Sequence, residues 1–326
     1  MTRAKARSGF GLLALAGVCG GCREREDGPQ IATAVEICVV GHNACARLHD
    51  GAVACWGEMP YWGAPPFVLD VGATRMRCAS RVCVEVADGS IDCYDWEGRL
   101  EEDENYAPDP ETLPFSDWWL NRYHQLGGCG IGADARTICW PDTLAEEFQE
   151  TASNYTARHI GFTSACWMLT DTDGRIHSIW DGEGCTQDSG GYPPEETYGL
   201  ETPPEGDDWQ RVEGGEHHAC ALDSEGRVEC WGLSADRIQP PWDLRFTELS
   251  SSAWTTCGVT TEGTIGCWGD LDDKYKPYDV PTTSGWVHLS FSGPRGCAID
   301  VVGQVHCFGD WDYDWWTTYE EALALR

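Results

Sequence analysis

Two cysteines ten positions apart, with an aromatic residue directly after the second, occur six times in this chain of 326 residues. The segments are CARLHDGAVACWG (45–57), CVEVADGSIDCYD (83–95), CGIGADARTICWP (129–141), CALDSEGRVECWG (220–232), CGVTTEGTIGCWG (257–269) and CAIDVVGQVHCFG (297–309). In a β-hairpin, residues facing each other lie symmetrically about the turn. Opposing Cys220 and Cys230 centres the turn on Glu225 and requires an odd-length loop, Ser224-Glu225-Gly226. The common three-residue hairpin loop is a type I turn followed by a residue at positive φ, a place for glycine. Gly226 stands there, as do Gly51, Gly89, Gly263 and Gly303 in their repeats, while Ala135 predicts a strained or differently built turn. Cysteine spacing and glycine position thus point independently to one register.

Cysteines opposed across a non-hydrogen-bonded strand pair come within disulfide range. The expected bonds are Cys45–Cys55, Cys83–Cys93, Cys129–Cys139, Cys220–Cys230, Cys257–Cys267 and Cys297–Cys307. Alternation along a strand puts Leu222 and Val228 on the disulfide face, and likewise Val259 with Ile265 and Ile299 with Val305. Other cysteine chemistries fit poorly. Structural zinc favours closely spaced ligand pairs, and a thioredoxin-like redox motif is C-x-x-C beside a βαβ pattern. The lone C-x-x-C here is Cys19 to Cys22. No cofactor is expected.

A seventh, altered copy is CWMLTDTDGRIHSIWDG (166–182), read as keeping its first Cys, losing its second and lengthening its turn by two residues. First cysteines of successive repeats lie 37 to 54 residues apart, a spacing near that of propeller blades. The longest gap holds a Gly/Pro/acid-rich insertion, 182–208. Each unit runs from a short apolar stretch through the two cysteine strands to a variable, Pro-rich tail, with no helical periodicity. That pattern is all-β. Of the remaining cysteines, Cys166 is expected to pair with Cys185, and Cys38 with Cys78 as a link between neighbouring units.

Eighteen cysteines indicate an oxidising compartment. Arg3, Lys5 and Arg7 precede the apolar run FGLLALAGV, which is too short to span a bilayer. Cys22 then follows Gly20 and Gly21, resembling a bacterial lipoprotein signal; Cys19 is the alternative, and neither has the usual Leu three residues before it. The expected layout is a signal peptide (1–21), a linker (22–28) and one domain (29–326), on a protein exported to the cell envelope and held there by lipid alone. With 54 acidic residues against 22 Lys and Arg, the formal charge is -32. Such a surface repels nucleic-acid phosphates and favours basic partners.

The stretch VEGGEHHACALDSEGRVECWG (212–232) resembles the repeat of the regulator-of-chromosome-condensation family, in particular its bacterial exported, cysteine-containing members. The likeness is strong in repeats one and five to seven and eroded in two to four. It implies a seven-bladed β-propeller with four-stranded blades. It also suggests that PQIATAV (29–35) supplies the outer strand of the last blade. The eukaryotic namesake exchanges guanine nucleotides, and another relative is a secreted β-lactamase inhibitor. A fold does not fix a function.

His42, His217 and His218, just before their repeats' first Cys, read as structural braces. No Ser/His/Asp arrangement or opposed carboxylate pair stands out, so the chain reads as a non-enzyme. DWDYDWWTTYEE (310–321) places Asp310, Asp312, Asp314 and Glu321 at positions 1, 3, 5 and 12 of a calcium loop, with Trp315 where that loop needs Gly. This is a weak calcium candidate. Trp62, Trp118, Trp119, Trp254, Trp311, Trp315 and Trp316 lie outside the Trp-Gly slots and suit either packing between blades or exposed stacking. The expectation is a monomeric, non-catalytic binding scaffold for a protein partner. The alternatives are a carbohydrate-binding module and a propeller-type inhibitor of an enzyme.

Overall fold

The computed structural model describes residues 33–57, 66–101, 107–109, 112–121, 127–140, 146–164, 166–179, 199–232, 238–269, 279–309 and 318–325. They form seven antiparallel sheets, one per repeat. Blade 5 shows the plan, with inner strand Trp209–Gly214, middle strand His218–Asp223 and outer strand Val228–Gly232. Cys220 faces Cys230 across the last two. Cys45 and Cys55, Cys83 and Cys93, Cys129 and Cys139, Cys257 and Cys267, and Cys297 and Cys307 are opposed in the same way. All six pairs are disulfide-bonded, with Cα atoms 4.0–4.1 Å apart. Gly226 takes φ 79° and donates its N–H to Asp223 O. Ala135 builds the same turn, donating to Gly132 O at 2.9 Å with φ 63°. The turn is therefore not rebuilt, and the alanine bears a left-handed conformation that costs ~1–2 kcal/mol.

Blade 4 corrects the sequence reading. Asp171 and Gly174 make the turn that Asp223 and Gly226 make in blade 5, so no residues are inserted. Met168 and Ser178 face each other where Cys220 and Cys230 do, and Ile179 stands where Trp231 does. Cys166 lies two residues early, at the place of His218. Trp180 and Gly182 imitate a Trp-Gly ending in sequence, which shifted the apparent alignment. Cys166 is disulfide-bonded; its expected partner, Cys185, lies outside the described residues.

The core is seven wedges between successive blades. Alternation along the outer strand sends the second Cys to one face and the aromatic residue after it to the other. Five of the six hairpin disulfides thus meet the aromatic of the next blade, and Cys129–Cys139 meets Ile179 of blade 4 instead. Cys220 and Cys230 pack with Trp268, Cys257 with Phe308, and Cys297 with Trp56. The Trp268 indole N–H points at Cys230 Sγ, 3.4 Å away. In blade 4, Met168 receives Trp231 in place of a disulfide. Burying one such side chain is worth about 1.5–3 kcal/mol. Leu222 and Val228 lie in the disulfide wedge, as do Val259 with Ile265 and Ile299 with Val305.

The seventh wedge joins blades 7 and 1 and closes the ring. Ala34 N–H donates to Gly303 O at 2.8 Å. Ser290 and Ser292 Oγ accept from the N–H groups of Val39 and Gly41 at 2.9 and 3.0 Å. Blade 6 holds blade 7 likewise, through Ser250 to Phe291 N–H and Ser252 to Gly293 N–H. Between blades 1 and 2 the disulfide Cys38–Cys78 does this work, with Cα atoms 6.0 Å apart.

Three expectations change. Among the described residues blade 1 alone has four strands and the other sheets have three; in blade 2 the Tyr94–Leu100 bridge is the trace of a fourth. Ala34 and Val35 begin the inner strand of blade 1, Ala34–Val40, rather than an outer strand of blade 7, and 29–32 lie outside the described residues. Two short helices also occur. Glu146–Ser153 follows blade 3, and Tyr319–Leu323 sets Tyr319 on Trp56 with ring centroids 5.1 Å apart.

Candidate functional site

The seven inner strands surround a cavity of about 340 Å³. In five of them a bulge precedes one lining position, between Ala34 and Glu36, Ala157 and His159, Trp209 and Arg211, Phe246 and Glu248, and Trp286 and His288. A bulge re-aims the residue after it. By strand register the equivalents in blades 2 and 3 are Arg75 and Asp117. One level therefore carries Glu36, Arg75, Asp117, His159, Arg211, Glu248 and His288, an ionisable group from every blade.

Most of these groups join blades. Glu36 accepts from Arg47 Nε at 2.6 Å and from Met76 N–H, on the next blade, at 2.9 Å. Glu248 accepts from Leu289 N–H at 3.3 Å and holds His288 Nδ1 at 3.0 Å. Asp117 pairs with Arg75 and Arg77, each at 3.2 Å. His159 Nδ1 accepts from Val212 N–H at 3.4 Å, and its ring meets Trp119 edge-on. That bond leaves the proton on Nε2. Burial, aided by Arg211 and Arg77, holds the His159 pKa well below its ordinary value and keeps the ring neutral. His288 moves the other way, raised chiefly by its hydrogen bond to Glu248. The carboxylates serve as inter-blade acceptors and counter-ions. Arg211 differs: it is exposed into the cavity and has no ion pair or hydrogen bond among the described residues.

The start of an inner strand abuts the hairpin turn of the preceding blade, as Phe246 N–H to Gly226 O and Trp209 N–H to Gly174 O show. The turns and the charged mouth of the channel therefore share one face. At the middle turn position that face carries Asp50, Asp88, Asp134, Asp173, Glu225 and Glu262, all exposed. Asp50, Asp88 and Asp134 also accept from the N–H two residues on, bracing their own turns. In blade 7 the pattern breaks: Val301 and Val302 are 71% and 62% exposed. Trp242, 88% exposed, sits on the connection entering blade 6 and so on the same face. Sequence reasoning missed both features, since neither belongs to the cysteine motif.

The other predicted residues have structural duties. His218 is buried, with Nε2 2.8 Å from Thr256 Oγ1, and burial lowers its pKa to about 4. Buried His217 packs on Trp254 at 4.5 Å between ring centroids. His42 is exposed, in the turn after the inner strand of blade 1. Trp118 is buried and donates to Glu85, and half-buried Trp119 lines the channel. Glu321 accepts from Thr318 N–H in the capping box of the last helix. Asp310, Asp312, Asp314, Trp62, Trp311, Trp315, Trp316, Cys19 and Cys22 lie outside the described residues. The sulfurs of Cys38, Cys45 and Cys78 cluster within 4.8 Å, but all three are in disulfides and so are not thiolate ligands. Among the described residues no helix is long and apolar enough to cross a membrane.

No family model and no curated protein matches the chain. Solved structures do. The CRINKLY WD40 ectodomain of the Arabidopsis thaliana receptor kinase ACR4 aligns with TM-score 0.62 and 15% identity, over 86% of this chain and 96% of its own. The ectodomain of the Physcomitrella patens receptor kinase CR4 gives 0.61 and 16%, over 86% and 74%. The Myceliophteria thermophila Cps50 (Swd1) β-propeller domain gives 0.51 and 9%, over 85% and 96%. With seven sheets whose inner strands close around one channel, these likenesses make the chain a seven-bladed β-propeller.

Proposed function

We propose that this protein is an exported, non-catalytic scaffold that binds a basic protein partner on its turn face. The observation that carries the reading is the ring of six exposed acids on that face, interrupted at blade 7 by Val301 and Val302 and flanked by Trp242. Exposed apolar anchors beside a charged rim suit protein recognition, with aromatics supplying affinity and charge supplying encounter rate and register. The repeat signature supports kinship with the regulator-of-chromosome-condensation family, and the N-terminal pattern supports export with lipidation at Cys22. The disulfides fit an oxidising compartment. Among the described tryptophans Trp242 alone is mostly exposed, which favours a protein anchor over a multi-aromatic sugar platform.

The test is affinity capture from native envelopes with the full protein, run beside two variants, Trp242→Ala with Val302→Glu, and Asp173→Asn with Glu225→Gln and Glu262→Gln. A specific partner is expected to be lost with the first and weakened with the second, most clearly at low salt. A partner retained equally by all three overturns the assignment to this face.

A further inference from the structure

We propose that the channel mouth is a binding site for a single carboxylate group, received by Arg211. The argument is an accounting of the charges at that level. Glu36, Arg75, Asp117, His159, Glu248 and His288 each have a partner on their own or an adjacent blade. Arg77, one step deeper, pairs with Asp117. Arg211 lines the same cavity, is exposed, and has neither an ion pair nor a hydrogen bond among the described residues. Glu213 Oε1 faces His159 Nε2 at 3.9 Å, so among the described residues the guanidinium of Arg211 is the charge in this cavity left for a ligand.

A guanidinium fork matches a carboxylate in plane and in hydrogen-bond geometry. Charge selects against a dianion. Glu213 and Glu248 line the same cavity, so a phosphate or sulfate dianion would bring two negative charges to a place with one to spare. The cavity, about 340 Å³, lies at the small end of ligand pockets. Beside the charged groups its wall includes the half-buried Trp119, which offers an apolar surface to the body of the ligand. The class is thus a small monocarboxylate, or the same group presented on an acidic side chain of a polypeptide.

Calorimetry on the full protein at low salt tests this with butyrate and 3-phenylpropionate, their neutral amides as controls, and a doubly capped Ala-Glu-Ala peptide. Carboxylates are expected to bind in the millimolar range, the amides at least about tenfold more weakly, as loss of a charge-assisted hydrogen bond implies. Arg211→Gln should abolish the difference and Arg211→Lys should restore part of it, with melting temperatures unchanged because the Arg211 side chain holds no ion pair or hydrogen bond among the described residues. Binding by the free acids but not the peptide assigns a metabolite-type ligand, whereas binding by the peptide assigns a polypeptide side chain. Equal binding of acid and amide, no binding at all, or full affinity in Arg211→Gln overturns the site. Val302→Glu on the turn rim should leave the titration unchanged, which separates this site from partner docking.

Discussion

Blades 4 and 5 are neighbours with the same hairpin, yet one is cross-linked between its middle and outer strands and the other is not. Both place Gly in the third turn position, both bond that glycine's N–H to the Asp before the turn, and both keep the same strand register. Blade 5 has Cys220 opposite Cys230 and His218 two residues earlier. Blade 4 has Met168 opposite Ser178 and Cys166 two residues earlier. The wedge ahead of each closes equally well, over Trp231 in one case and Trp268 in the other. Register therefore belongs to the turn and the wedge, and the disulfide reinforces a hairpin that forms without it.

The largest expected effect concerns His218, which blade 4 lacks. Its folded pKa of about 4 lies below the unfolded value of about 6.5. The unfolded chain thus takes up a proton that the folded chain refuses, and stability rises with pH across that window. From pH 6.5 down to about 4 the protein should lose ~3 kcal/mol from this group alone, present in full above 6.5. Denaturant titrations at several pH values measure the slope. His218→Gln should reduce the slope, leaving the part that buried His159 contributes in the same sense, and an unchanged slope would move the cause elsewhere. His288 works in the opposite sense, since its raised pKa stabilises below 6.5 and loses that contribution as pH rises through the folded value.

Next is the cross-link itself. Cys220→Ala with Cys230→Ala should cost about 2–3 kcal/mol, the chain-entropy value for so short a loop together with the cavity beside Trp268. The fold should persist, as blade 4 already shows. If the double variant fails to fold when made, the disulfide sets the register after all. The converse graft, Met168→Cys with Ser178→Cys, should form a bond detectable by non-reducing peptide mapping and gain about 1–2 kcal/mol. Free thiols at both positions would break the equivalence of the two hairpins.

The smallest effect compares turns. Ala135→Gly should gain about 0.5–1 kcal/mol, the left-handed strain removed less the extra entropy of glycine. Gly226→Ala should lose more than that, because its new Cβ would lie 2.8 Å from Phe246 O as well as at positive φ. Paired thermal melts of the two variants should move in opposite directions.

Much of this architecture was legible in local pattern. Cysteine spacing and turn glycine are properties of one hairpin, and both survive in any context that forms the hairpin. Trp180 and Gly182 misled the alignment of blade 4 because a Trp-Gly pair carries no register information without its turn. The channel was invisible for a different reason. Glu36, Arg75, Asp117, His159, Arg211, Glu248 and His288 share no motif and lie about 40 residues apart, the length of a propeller repeat. Trp242 and the Val301-Val302 tip were equally silent, since nothing local marks an apolar residue as exposed.

By itself the sequence determined the all-β class, the seven units, the six hairpin disulfides and the side on which each aromatic falls, because alternation and turn chemistry act within a few residues. Only the tertiary structure decided that Met168 and Ser178 stand opposite each other in the blade without the cross-link, how Ser290, Ser292 and Gly303 seal the ring, and that one arginine faces the channel with no counter-ion among the described residues. Those outcomes depend on groups from different blades meeting in space, and closure of the ring is what brings them together.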